Sequence, residues 1–417
     1  MTLKKKPVNG MKDILPNEMA VRDYVIGIIK DTYRCYGFTP IDTPSVEHIE
    51  NLSSKQGGEN EKLIFKILKR GEKLRLDTAK SEEDLVDGGL RYDLTVPLVR
   101  FYANNAHDLP TPFKALQIGY VWRADRPQRG RYRQFMQCDI DIFGDESNMA
   151  EIELILATGS TLTKLGFKNF QIRINDRNIL KAIAAYSGFS ETEYDSVFIT
   201  LDKMDKIGLS GVADELKNNN FPAQNIDKFV DLVGGFDESK AKEILSTLTE
   251  TLENNLDSAV FESLTEIIES VESTKTDAYE IIFDPTLVRG MGYYTGTIFE
   301  IAIPEFGGSC GGGGRYDKMV GNFTGKDVPG VGFSIGFERI ILLLMESNFQ
   351  IPDQATKKAY LLEKGLPNKI TSDILLKAQN ERDTGVQVLV TRLNKNKKFQ
   401  KEQLNKEGYN EIIEVYR

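Results

Sequence analysis

Residues 121 to 144 read Val-Trp-Arg-Ala-Asp-Arg-Pro-Gln-Arg-Gly-Arg-Tyr-Arg-Gln-Phe-Met-Gln-Cys-Asp-Ile-Asp-Ile-Phe-Gly, and few folds accept such a stretch. Five arginines, Arg123, Arg126, Arg129, Arg131 and Arg133, are followed by an apolar run with alternating acids. The pattern predicts a strand, a tight loop and a second strand, with Pro127 and Gly130 supplying the turn. Arginines this dense on a hairpin suit a polyanion, because guanidinium forks match phosphate oxygens two at a time. A solvated, charged hairpin is the alternative. Asp141 bears on the choice: a carboxylate between apolar neighbours on a buried strand needs a partner, and a ligand is one option.

The 417 residues allow two or three domains and a large core. Apolar content of 40% and charged content of 28% are ordinary for a soluble globular protein. The net charge of -9 argues against indiscriminate nucleic-acid binding but leaves a local basic groove open. Cys35, Cys138 and Cys310 are far apart and form no CxxC pair, which supports neither a zinc site nor a disulfide framework. His48 and His107 are the only histidines, so Ser-His-Asp or HExxH chemistry has almost nothing to draw on. The lysines at the N-terminus have no apolar run behind them, and no stretch of roughly 18 apolar residues occurs. Neither a secretory signal nor a membrane span is expected, and the cytoplasm is the expected compartment.

Along the chain, a helix is expected over 17–37, capped by Asn17 and ended by Gly37. An edge-like strand bearing Pro40 and Pro44 follows, then a polar mobile loop over 53–62 and a strand at Leu63–Leu68. Asp93 and Thr95 precede Pro97 as helix-capping residues would. Helix, strand and helix are expected over 149–166, 170–175 and 176–186, with Asp176 as the last cap. From about 190 to 276 the chain turns rich in Lys, Glu, Asp and Asn with amphipathic repeats, a helical module that packing and solvation explain. Strand structure resumes at Tyr279. The glycines of 307–314 lack the GKS or GKT of a phosphate loop and are expected to let the sheet pass under a flat substrate. Past Asn348 a smaller α/β pattern begins, with a basic stripe of Arg392, Lys395, Lys397, Lys398 and Lys401. That stripe fits a solubilising face or an RNA contact.

The run from Trp122 to Phe135 resembles motif 2 of the class II aminoacyl-tRNA synthetases in its histidyl form. Pro329 to Leu343, with Gly336, Glu338 and Arg339, resembles motif 3. Leu287-Val288-Arg289-Gly290-Met291-Gly292-Tyr293-Tyr294 is similar to the peptide peculiar to the histidyl family, with Met291-Gly292 where Leu-Asp is usual. The helix and strand ending near Pro44 resemble motif 1, and Gly10 to Pro16 the family's opening turn. The resemblance implies an α/β (α+β) fold: an antiparallel core over 1–345, interrupted by a helical insertion over 177–276. A C-terminal α/β unit over 350–417 would be a shortened anticodon-binding-like domain lacking its last strand and helix. It also implies a homodimer joined through motif 1 and an insertion that clasps tRNA.

The implied chemistry is activation of L-histidine by ATP, with Mg²⁺ on the outer phosphates, and transfer to the 3′ end of tRNA(His). Arg123 would grip the α-phosphate and the substrate carboxylate. Arg289 would stabilise the developing charge from the opposite side, where many class II relatives use a metal ion. Arg339 and Arg131 would hold the ATP phosphates, and Asp125, where the family usually has Glu, would contact adenine. Asp141 and Tyr294 would each take one imidazole nitrogen beside Tyr293. Asp93, Thr95 and Gln137 would hold the ammonium group. Gln128 stands where bacterial relatives read the extra 5′ guanylate of the tRNA. The competing implication is a histidine-binding regulatory subunit of ATP phosphoribosyltransferase, which shares the fold but charges no tRNA.

Overall fold

The computed structural model describes residues 3–53, 60–236, 241–290, 292–352 and 355–417. Most of the loop expected at 53–62, and Met291 of the histidyl-type peptide, lie outside the described residues. The chain divides into two units, Met1–Asn348 and Phe349–Arg417.

The first unit opens on α1 (Pro16–Cys35). Its start differs from expectation: Leu15 is the N-cap and Pro16 takes the first helical position, where its missing N–H costs nothing, so Asn17 caps nothing. The helix ends before Gly37, which carries the left-handed φ of +81°. β1 (Thr39–Ile41), β2 (Val46–His48) and α2 (Ile49–Leu52) follow. The strand expected at 63–68 shrinks to β3 (Lys66–Leu68), because 60–63 form a single 3₁₀ turn. Next come β4 (Val86–Leu90), α3 (Thr95–Asn105), β5 (Phe113–Trp122) and β6 (Gln134–Phe143). β5 and β6 make the long antiparallel hairpin that the arginine-rich stretch predicts.

After α4 (Met149–Lys164), β7 (Phe170–Asp176) and α5 (Arg177–Ser187), the polar module folds as helices. These are α6 (Tyr194–Leu201), α7 (Met204–Asn218), α8 (Ala223–Gly234), α9 (Ala241–Thr251) and α10 (Ser258–Thr274). Asp176 caps α5, accepting from Asn178 N at 2.7 Å. The unit closes with β8 (Tyr279–Phe283), β9 (Thr297–Ile303), β10 (Gly308–Arg315), α11 (Gly321–Thr324), β11 (Gly330–Ile335) and α12 (Phe337–Glu346).

Among the described residues, eight strands join in one sheet in the order β1-β5-β6-β11-β10-β9-β7-β8. Its centre is antiparallel; only the outer pairs β1–β5 and β7–β8 are parallel. Alternation along β6 sorts the two faces. Cys138, Ile140 and Ile142 are buried in the core. Gln137, Asp139 and Asp141 point the other way, into the cleft described below. α12 is tied to α1 and to this sheet through Glu338: Arg22 of α1, only 1% exposed, donates to both its oxygens at 2.7 and 2.8 Å, and Met136 N of β6 donates to it at 3.1 Å.

The second unit is β12 (Lys357–Leu362), α13 (Asn368–Asp383), β13 (Gln387–Arg392), α14 (Lys397–Lys406) and β14 (Glu411–Val415). The strands are parallel in the order β13-β12-β14. Tyr360 and Leu362 pack with Ala378 of α13, whereas Ala359 and Leu361 pack with Leu404 of α14. A sheet covered on both faces accounts for the near-continuous apolar run of β12. In the basic stripe Lys401 pairs with Glu414, Lys397 meets Tyr416 Oη at 2.9 Å, and Arg392 donates to Glu363 O at 3.1 Å. Lys395 and Lys398 are exposed.

Candidate active site

A cleft of about 710 Å³ in the first unit is lined by all twelve residues that the sequence singles out: Asp93, Thr95, Arg123, Asp125, Gln128, Arg131, Gln137, Asp141, Arg289, Tyr293, Tyr294 and Arg339. Five separate stretches deliver them. They are the start of α3, the β5–β6 loop, the open face of β6, the segment before β9, and the start of α12.

Asp93 shows that capping and ligand-holding are compatible. Standing one residue ahead of the N-cap Leu94, it accepts from Val96 N through Oδ1 at 3.0 Å, while Thr95, expected as a cap, is the first residue of α3 and caps nothing. Asp93 Oδ2 is buried with no partner, and burial lifts the carboxyl to about 6. Asp141 repeats the pattern. Tyr316 Oη donates to its Oδ1, Oδ2 is buried and unpartnered, and burial raises it to about 7. Gln137 donates weakly to Ser334 Oγ at 3.4 Å and leaves Oε1 without a partner. Buried polar atoms are almost always satisfied, so three such acceptors facing one cleft fit a polar ligand.

The arginines occupy the rest of the cleft. Arg123 is fixed through Nε to Tyr92 O at 2.8 Å, and its guanidinium lies 5.2 Å over Phe135, which leaves the Nη edge for an anion. Arg289 reaches the same cleft from the β9 end of the sheet, held by Glu300 at 2.8 Å and Ser309 Oγ at 3.4 Å. Those braces come from β9 and β10, so Met291-Gly292 need not supply them. Arg339 donates to Ser309 O and lies 5.2 Å over Phe306. Burial, then the neighbouring Arg131, hold Arg339 below the usual arginine range. Arginines that repel one another in a cleft are a site for phosphate oxygens. The loop that carries Arg131 is clamped by the N-terminus, where Gly10 O accepts from Arg133 N at 2.8 Å.

The glycine run turns out to make room for the protein's own side chains. A Cβ on Gly312 would lie 2.7 Å from Arg289 Cζ, one on Gly314 would lie 2.9 Å from Tyr294 Cδ1, and one on Gly332 would lie 1.9 Å from Asp141 Oδ1.

Asp139, Glu300, Phe306 and Tyr316 also line the cleft, and sequence reasoning left them out. Only Asp139 carried a readable signal, since it shares a face with Asp141 at a spacing of two. The helical insertion also contributes: Leu201, Asp202 and Met204 stand at the cleft wall, so packing and solvation do not exhaust its role.

A largely antiparallel sheet with arginines and carboxylates in one cleft, and a strand running into the helix that carries Arg339, defines a class II aminoacyl-tRNA synthetase catalytic unit. A family model described as histidyl-tRNA synthetase matches residues 10–340. The chain is 44% identical over 364 residues to a histidine–tRNA ligase of Leifsonia xyli subsp. xyli, covering 85% of this chain and 83% of that one. The crystal structure of histidyl-tRNA synthetase from Nostoc sp. PCC 7120 superposes with a TM-score of 0.80 at 27% identity, over 99% of this chain and 92% of that one. A Bacillus halodurans C structure described as an ATP phosphoribosyltransferase regulatory subunit/histidyl-tRNA synthetase gives a TM-score of 0.77. At 20% identity, over 100% and 99% of the two chains, it attests the fold alone. The chain belongs to the histidyl-tRNA synthetase family.

Proposed function

We propose that this chain is a histidine–tRNA ligase that activates L-histidine with ATP to histidyl-adenylate and passes the histidyl group to the 3′ end of tRNA(His). The observation that carries the reading is the cleft itself: unpartnered buried acceptors at Asp93, Gln137 and Asp141 face the arginines. In the first step the histidine carboxylate attacks the α-phosphorus, the new P–O bond forms, and pyrophosphate leaves in line. Positioning and charge stabilisation carry such a step. Arg123 and Arg289 hold the reacting group from opposite flanks, since β5 and β9 are separated by β6, β11 and β10. Arg131 and Arg339 hold the outer phosphates, and Asp125 meets adenine. We place Mg²⁺ on the phosphates of ATP, as part of that substrate.

Asp93, Thr95 and Gln137 take the α-ammonium group. Asp141 and Tyr294 take the imidazole, with the Tyr293 ring 4.8 Å from that of Tyr294 as its support. A pocket of polar groups rejects apolar analogues, which would leave those groups unpaired. Gln128, in the arginine loop, faces the tRNA acceptor end. The 350–417 unit, with Lys395 and Lys398 exposed, is the candidate anticodon contact. α1 and the terminal strand β1 are the candidate dimer edge. Among the described residues no helix is long and apolar enough to cross a membrane. We assign the chain to the cytoplasm.

Histidine-dependent exchange of labelled pyrophosphate into ATP tests the reading. Arg289→Ala should lower the exchange rate by about 10²–10³-fold. Tight histidine binding with no exchange in the unaltered protein would instead favour the regulatory subunit.

A further inference from the structure

Asp139 has no place in the mechanism above, yet it is only 3% exposed and its side chain lines the histidine pocket. It stands two residues before Asp141 on the same face of β6, so two carboxylates share one wall. Asp139 Oδ1, Asp141 Oδ2 and Asp93 Oδ2 are all buried without partners. Among the described residues, no ion pair joins any of these three acids to a cation. Arg123 is tied through Nε to Tyr92 O. Arg91 keeps its charge but turns its donors to Tyr120 O at 2.9 Å and Thr43 O at 2.6 Å. The Arg123 guanidinium faces Asp139 and Asp93 and favours their charged forms, and Arg91 acts on Asp139 in the same sense, though neither forms an ion pair with them. The other groups facing Asp139 are the Ser334 hydroxyl of β11, the phenol of Tyr294, and, through the sheet, Cys138 and Tyr33. None of those others carries a positive charge, and among the described residues the titratable groups beside Asp141 are Tyr316, Asp93 and Asp139, none of them a cation.

Asp139 and Asp141 share one dry wall that no ion pair reaches, so the two ionise together only at a large cost. Burial, then the neighbouring Asp141, hold Asp139 well above the usual carboxylate range. One α-ammonium group answers one carboxylate. A second positive charge is needed, and a histidine ring can supply it, because its free pKa lies near 6.5.

The geometry points to Asp139 as the counter-charge that makes this pocket take the substrate side chain as imidazolium; this rests on the histidine-binding reading above. In proton terms, the empty pocket holds a proton on the Asp139–Asp141 pair. When neutral histidine enters, that carboxyl O–H breaks and a ring N–H forms, leaving both carboxylates ionised around a doubly protonated ring. Solvent supplies no proton, so binding near neutral pH takes up none.

The test is a nitrogen NMR spectrum of ring-¹⁵N-labelled histidine bound to the full chain at pH about 8, where free histidine is neutral. Both ring nitrogens should carry protons. One bare nitrogen in the unaltered protein overturns the inference. Asp139→Asn should return one nitrogen to the unprotonated state and weaken histidine binding by about tenfold at pH about 8. At pH about 5.5, where free histidine is already cationic, the deficit should shrink to about threefold. An equal loss at both pH values marks a merely structural role and overturns the inference. If Asp139→Asn does not fold, the spectrum of the unaltered protein decides alone. A protein that binds no histidine at any pH sinks the ligase reading, and this inference with it.

Discussion

Glu338→Ala cuts the link that holds α12 under the cleft. The Arg22 guanidinium is 1% exposed and gives Glu338 two bonds of 2.7 and 2.8 Å, while Met136 N donates to the same carboxylate at 3.1 Å. Phe337 lies 4.8 Å beneath the guanidinium and cannot neutralise it. Removing one partner of a buried ion pair costs about 3–5 kcal/mol, and an orphaned buried amide about 1–3 kcal/mol more. Glu18, 3.6 Å from Arg22 and partly exposed, offers a weaker replacement and pulls the total back to about 4 kcal/mol. Arg22→Met alone should cost about 3 kcal/mol, since Glu338 keeps the Met136 amide. The double variant Arg22→Met/Glu338→Leu removes both charges and should lose only about 1 kcal/mol. Urea unfolding at one protein concentration measures this. Trp122, the sole tryptophan, sits at the end of β5 in the same unit and reports the transition. A Glu338→Ala cost below about 1 kcal/mol, or a double variant as weak as the two losses added, would refute the buried-pair account.

Other changes reach the pocket directly. Tyr316→Phe leaves Asp141 Oδ1 without its donor and should raise the KM for histidine about tenfold with little effect on kcat; an unchanged KM counts against the assigned support. Gly332→Ala places a methyl group on Asp141, so histidine affinity should drop while circular dichroism shows the fold retained. Gly313→Ala meets the backbone oxygen of Gly332 at 1.9 Å, which cannot step aside, and should destabilise the unit by more than about 2 kcal/mol in urea. Asp93, Asp141 and Asp176 sit at about 6, 7 and 6, against an ordinary 3.8, so the folded state binds more protons than the unfolded one between those values. Their contribution is whole below about pH 4 and lost as pH rises through 6 to 7. The ligand-free protein should melt lower at pH 8 than at pH 5, and Asp93→Asn with Asp141→Asn should flatten that slope. A slope unchanged in the double variant refutes it.

The sequence exposes what is periodic or local. The β5–β6 hairpin is legible because its alternation, its proline and its Gly130 lie within one short stretch. Asp141 is legible because an acid among Ile and Phe on such a strand is anomalous. What escapes is set by distance along the chain. Tyr316 and Asp141 are 175 positions apart, and Arg22 and Glu338 316 apart, so nothing near either pair announces the bond. Arg22 in α1 reads as a solvated position on an amphipathic helix, yet it is buried because α12 presents a carboxylate there. The glycines of β10 were visible as a run, but their purpose depends on Arg289 and Tyr294 arriving from another segment.

The same geometry that prepares the cleft for its substrate weakens the empty protein. Asp93, Asp139 and Asp141 are each held where their charged form is penalised, and each keeps one oxygen without a partner. Their neighbours could relieve this only by moving arginines onto them. Arg289 is instead pinned to Glu300, and Arg91 to backbone carbonyls. Those tethers keep the pocket acidic and leave Arg123 and Arg289 for the reacting phosphate and carboxylate. A cationic amino acid thus finds acceptors that already lie in place, while ATP finds donors, and among the described residues these acids and arginines form no ion pair with each other in the substrate's absence. Histidine should therefore raise the melting temperature more at pH 8, where the empty pocket is least stable, than at pH 5.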